Sequence, residues 1–81
     1  MAKKSPSFSG NTNLVELGTA IRAARKAKGL SQEALAEIAG IDRSYMGGIE
    51  RGEHNLAIIN LLKIADTLGM KASSLLDEAG N

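Results

Sequence analysis

Beyond residue 13 apolar residues return every three or four positions, and nowhere does a strand-like alternation persist. Five short helices account for this pattern. The first is predicted over about Leu14 to Lys28, with Leu17, Ile21 and Ala24 on one face and Arg22, Arg25, Lys26 and Lys28 projecting from others. Gly29 stops it, because glycine takes the left-handed geometry of a helix terminus without steric cost. The second opens at Ser31, whose hydroxyl can accept from first-turn amides, and Glu33 complements the positive helix end. Ala34, Leu35 and Ile38 are its apolar positions, Ala36 and Ala39 are small enough for close helix approach, and Gly40 closes it.

Ile41 anchors the connection, and Asp42 is a suitable cap for a third helix over about Arg43 to Glu50. Tyr45 or Met46, and then Ile49, should pack inward, with Arg43, Ser44, Gly47 and Gly48 outward and Gly52 at the end. The fourth helix is expected over about Ile58 to Leu68, with Ile58, Leu61, Leu62, Ala65 and Leu68 in the core and Gly69 as its stop. Ile59 and Ile64 widen its apolar surface beyond what one neighbour covers. A fifth, about Ala72 to Glu78, carries Leu75 and Leu76. The expectation is a compact all-α domain over residues 14–78, with tails at 1–13 and 79–81. Two short helices around Gly40-Ile41-Asp42 have helix–turn–helix spacing, which other small helical bundles share.

Composition narrows the chemistry. At 81 residues there is room for one domain, and a domain of this size buries only ~60% of its unfolded surface, so dimerisation would help. Cysteine is absent, which excludes disulfides and thiolate metal sites and fits a reducing cytoplasm. Ten basic against nine acidic residues leave a net charge of +1, so any case for nucleic acid rests on where the charges lie. Lys3 and Lys4 precede Ser, Pro, Gly and Asn rather than an apolar signal-peptide core, and no stretch approaches the ~18 apolar residues of a membrane span. That segment reads as a loose tail or as a basic arm reaching DNA. No acid–base pair, phosphate-cradling loop or metal-ligand cluster accompanies the single histidine, His54, so neither an enzyme nor a cofactor is expected. His54 is left as a loop residue or a phosphate or sugar contact.

The run Ile21-Arg22-Ala23-Ala24-Arg25-Lys26-Ala27-Lys28-Gly29-Leu30-Ser31-Gln32-Glu33-Ala34-Leu35-Ala36 resembles the opening of the lambda repressor/Cro-like, or XRE-type, helix–turn–helix family. So do Gly40-Ile41-Asp42-Arg43-Ser44-Tyr45-Met46-Gly47-Gly48-Ile49-Glu50-Arg51-Gly52 and Leu61-Leu62-Lys63-Ile64-Ala65-Asp66-Thr67-Leu68-Gly69. Within that family the segment Asp42 to Tyr45, followed by Gly48 to Gly52 and Asn55, is most similar to restriction–modification controller proteins. The resemblance implies a five-helix lambda-repressor-like domain that regulates transcription by binding duplex DNA, with its third helix in the major groove.

Carried over by motif position, Arg43 and Ser44 would reach base edges, Arg43 donating two hydrogen bonds to guanine, a contact worth ~1–3 kcal/mol of discrimination. Gln32, Tyr45, Arg51 and Asn55 match backbone contacts; for Tyr45, pure core packing is an equal alternative. Arg25 and Glu50 match an orienting salt bridge which, if partly exposed, adds only ~0–1 kcal/mol. Three departures stand out: Gly47 and Gly48 replace side chains that read DNA in many relatives, Glu53 sits where a basic residue is common, and Ala57 replaces a Ser or Thr cap. The resemblance further implies a cytoplasmic, nucleoid-associated homodimer on a palindromic operator, with half-sites ~34–36 Å apart. Ile59, Ile64, Met70 and Leu76 are the interface candidates, and RNA polymerase is a partner if the protein activates. The competing reading is a protein-binding module such as an antitoxin or inhibitor, in which Arg43 and Arg51 face a protein.

Overall fold

The computed structural model describes residues 11–80, and these form five helices joined by short turns: α1 (Thr12–Ala27), α2 (Gln32–Ala39), α3 (Arg43–Arg51), α4 (Ile58–Thr67) and α5 (Ala72–Glu78). The proposed arm at Lys3 and Lys4 lies outside the described residues. Asn11 caps α1 by accepting from the Leu14 amide at 3.2 Å, so Thr12 and Asn13 belong to the first helix rather than to a tail. At the other end Ala79 is buried, and the folded unit runs past residue 78.

Helices α1 to α3 are capped by a side chain of the right reach. Ser31 accepts from the Ala34 amide at 3.0 Å and Asp42 from the Tyr45 amide at 3.2 Å, starting α2 and α3 where the sequence predicts. Ala57 makes no side-chain cap at α4, the consequence expected of its missing hydroxyl. Helices α1 to α4 finish in one kind of turn, in which the residue after a glycine donates its amide to a carbonyl five positions back. The pairs are Leu30 to Arg25, Ile41 to Ala36, Glu53 to Gly48 and Met70 to Ala65. In three of these turns that residue is apolar and packs on the core: Leu30, Ile41 and Met70. In the turn after α3 it is Glu53.

Every helix supplies one large, fully buried side chain: Ile21, Leu35, Met46, Ile64 and Leu75. α1 packs on α3 and α5, α2 on α3 and α4, and α4 on α5, around this single cluster. The inward stripe of α4 is Leu61, Ile64, Ala65 and Leu68, at the i, i+3, i+4, i+7 spacing of one helical face. That phase corrects two expectations. Ile64 is core and out of reach of any partner, whereas Ile58 and Leu62, expected inside, are 67% and 49% exposed. On α2 the same rotation leaves Ile38 exposed while Leu35, Ala36 and Ala39 turn inward.

Candidate nucleic-acid interface

Helix α3 is only nine residues long, and a helix that short is not stable alone in water. Two supports hold it. Met46 and Ile49 are buried in the core, and Tyr45 packs against it while half exposed, so both inward readings of the first turn apply together. The second support is close backbone packing against α1. A Cβ on Gly18 would stand 2.5 Å from the carbonyl oxygens of both Ile49 and Glu50, a separation that real Cβ atoms do not reach. At the end of α3, Gly52 has φ +74°, and a Cβ there would meet the backbone of Val15 at 2.5 Å. Both glycines are needed for α1 to lie directly on α3.

The structure joins Arg25 and Glu50 across this contact. Arg25 Nε donates to Glu50 Oε2 at 2.7 Å and Arg25 Nη2 to Glu50 Oε1 at 3.1 Å, while Nη1 donates to the Leu30 carbonyl at 2.9 Å. With side chains only 10% and 3% exposed, this is a buried, bidentate pair and not the partly exposed bridge anticipated. Burial changes its energetics. The intact pair need contribute little, but removing one partner strands a buried charge and costs about 3–5 kcal/mol. Gln32 extends the network, its Nε2 donating to Glu50 Oε1 at 3.1 Å. One of its amide hydrogens is therefore committed to the brace, and the other remains for an outside acceptor.

The brace leaves the beginning of α3 open. Arg43 and Ser44 are both exposed on its first turn, just past the Asp42 cap. Arg51, at the end of α3, is exposed as well, and Asn55 is exposed in the following loop. Gly47 and Gly48, expected on the outward side, are instead buried beneath other side chains. A Cβ at Gly47 would stand 3.1 Å from Arg51 Nη1 and 3.3 Å from Gln32 Oε1, so the missing side chain makes room for both. Gly48 lies under the ring of His54, which would overlap any Cβ there. His54 in turn stacks on Tyr45, with ring centroids 4.6 Å apart and planes 23° from parallel. It is thus more than a loop residue, since it covers α3 and holds Tyr45.

The structure does not gather the four interface candidates into one patch. Ile59 is 59% exposed, Met70 and Leu76 are half-buried against the core, and Ile64 is inside it. Sequence reasoning missed Ile58 and Leu62 as exposed apolar residues, Gly18 as the contact point of two helices, and Glu53 as the partner of Arg51. Glu53 accepts from Arg51 Nε at 2.9 Å and Nη2 at 3.1 Å. That hydrogen bonding holds Arg51 above its ordinary pKa and the Glu53 carboxyl below the usual carboxylate range. Only the departure of Glu53 from the family pattern pointed to it.

A short helix braced from behind by a buried ion pair, with a cation and a hydroxyl free on its first turn and a capped helix beside it, defines a DNA-binding helix–turn–helix domain. Sequence comparison agrees: the Helix-turn-helix family description matches residues 21–75. The chain belongs to the XRE/Cro-like helix–turn–helix family of DNA-binding transcriptional regulators, and it strongly resembles restriction–modification controller proteins. It is 40% identical over 60 residues to control protein C.SmaI of Serratia marcescens, a match spanning 74% of this chain and 71% of that one. The crystal structure of the controller protein C.AhdI from Aeromonas hydrophila superposes with a TM-score of 0.76 at 49% identity, over 78% of this chain and 96% of that one. A structure of the biofilm master regulator SinR in complex with DNA superposes with a TM-score of 0.72 at 40% identity, over 75% and 98% of the two chains. Among the described residues no helix is long and apolar enough to cross a membrane.

Proposed function

We propose that this protein is a restriction–modification controller that binds a palindromic operator as a homodimer, with α3 of each copy in the major groove. The observation that carries the reading is the exposure of Arg43 and Ser44 on a first turn fixed from behind by Arg25 and Glu50. A cation at a helix N-terminus is disfavoured by the helix dipole, so Arg43 is well placed only if acceptors lie ahead of it. Guanine O6 and N7 supply them. Gln32, Tyr45, Arg51 and Asn55 contact the phosphate backbone and set the register, carrying no sequence information themselves. The free amides at the start of α2 favour a phosphate beside Gln32.

Dimerisation is supported by apolar residues that the fold leaves uncovered. Ile59 and Leu62 are exposed on α4, with Met70 bordering the same groove as Leu62. α4 packs against α2 and α5, so a partner seated there need not cover Arg43. The protein works in the cytoplasm on nucleoid DNA, and contacts RNA polymerase where it activates. Selecting bound sites from a random duplex library tests the whole reading. Paired symmetric half-sites about one helical turn, ~34–36 Å, apart are expected. Recovery of unpaired sites, or of no preferred site, would refute it.

A further inference from the structure

Arg51 is matched to a DNA phosphate in the reading above, yet its guanidinium is already engaged. Glu53 takes its Nε and Nη2 hydrogens through two hydrogen bonds, forming the exposed ion pair of the described residues. The carboxylate is not there by chance of side-chain wandering. The Glu53 amide is bonded to the Gly48 carbonyl at 2.9 Å, which fixes its backbone against the last turn of α3. In the corresponding turns after α1, α2 and α4 this slot holds an apolar residue packed on the core, as the turn usually favours. Here it holds a charge aimed at the neighbouring arginine. Bare Gly47 lets the guanidinium lie along α3, where a Cβ would stand 3.1 Å from Nη1.

We propose that Glu53 is a charge-masking and positioning residue for Arg51, lowering the affinity of the protein for duplex DNA of any sequence. The inference rests on the assignment of Arg51 to the DNA backbone. Gripped along its Nε–Nη2 side, Arg51 still has both Nη1 hydrogens and one on Nη2, so it can meet a phosphate without leaving Glu53. The pair is neutral as a unit, however. Each phosphate neutralised by a free cation releases condensed counterions and adds about 0.9 to the salt slope of binding, and Glu53 cancels that gain at this position. The loss is the same on every duplex, but sequence-independent binding is almost entirely electrostatic, so it is a larger fraction of that binding than of binding that also draws on bases read by Arg43. The carboxylate gives up general affinity and leaves base reading with a larger share of the whole.

The test measures binding of wild-type protein, Glu53→Gln, Arg51→Ala and the double variant to a random-sequence duplex, across a series of potassium chloride concentrations. Both substituted side chains are exposed, and circular dichroism checks that the fold is kept. Glu53→Gln is expected to bind roughly three- to tenfold more tightly near 0.1 M salt, with a salt slope steeper by about 0.9. In the Arg51→Ala background the same change should have little effect. Unchanged or weaker binding by Glu53→Gln overturns the proposal. An equal gain with Arg51 absent overturns it too, because Glu53 would then act by plain repulsion of DNA. Failure of wild-type protein and every variant to bind duplex at any salt would instead remove the DNA-backbone assignment on which the inference stands.

Discussion

Gly18 and Glu50 meet backbone to backbone, with the α1 glycine pressed against the Glu50 carbonyl at a distance that leaves no room for a methyl group. Glycine inside a helix ordinarily costs ~1 kcal/mol relative to alanine, so Gly18→Ala in an isolated helix would be stabilising. In this protein the sign reverses. The neighbours of the new Cβ are main-chain atoms, which cannot rotate aside, so α1 must lift from α3. Gly18→Ala is expected to lower stability by about 1–3 kcal/mol, the usual cost of overpacking, in a urea titration followed by circular dichroism. A more stable variant would show that the two helices can separate freely.

The ion pair on the other side of Glu50 makes a sharper forecast. Glu50→Ala leaves the guanidinium of Arg25 buried with only the Leu30 carbonyl, and also removes the acceptor of Gln32. A loss of about 3–5 kcal/mol is expected. Replacing Arg25 and Glu50 together by methionine and leucine should restore much of it, because an apolar pair strands no charge. The double variant folds yet loses the anchor on Gln32, so duplex binding should weaken even where stability recovers. Denaturation and duplex titration of the same samples separate the two effects.

Gly48→Ala cannot be accommodated while His54 stays on Tyr45, because the His54 ring occupies the space of the new methyl group. The obstacle is a side chain and can be removed. In a His54→Ala background, Gly48→Ala should add stability of up to ~1 kcal/mol through helix propensity alone. In the wild-type background the gain should shrink or change sign. Equal effects in both backgrounds would mean that His54 does not shape α3.

Arg43→Ala is expected to cost ~1–3 kcal/mol on the selected operator and to relax preference at one base position. Gln32→Ala should weaken operator and random duplex alike, because a phosphate contact carries no base information. Fluorescence anisotropy with both duplexes distinguishes these outcomes. An equal loss on the two by Arg43→Ala would rule out base reading.

Element boundaries were legible in the sequence wherever a local signal sets them. Ser31, Asp42, Gly40 and Gly52 act within three residues of themselves, so α2 and α3 start and stop where predicted, give or take one residue. The phase of α4 was harder to read because five of its first seven residues are large and apolar. Nothing local tells Ile58 from Leu61, and only the positions of α2 and α5 decide which stripe faces inward. The pairing of Arg25 with Glu50 came from family resemblance; its burial depends on how closely α1 approaches α3, which Gly18 governs. Gly18 carries no local mark of this role. A glycine seven residues from any turn was the available signal, and its meaning lay 32 positions away in the chain, at Glu50.

Five helices each contributing one wholly enclosed side chain, Ile21, Leu35, Met46, Ile64 and Leu75, make a structure with no detachable part. Helices α2 to α5 have only seven to ten residues each and are too short to persist alone, so the molecule should melt as one cooperative unit. Cutting away the seven-residue helix α5 would then loosen the support of α3 as well, by uncovering the core on which both pack. A DNA-binding regulator built this way keeps or loses its shape as a whole, and with it the seat of Arg43 and Ser44.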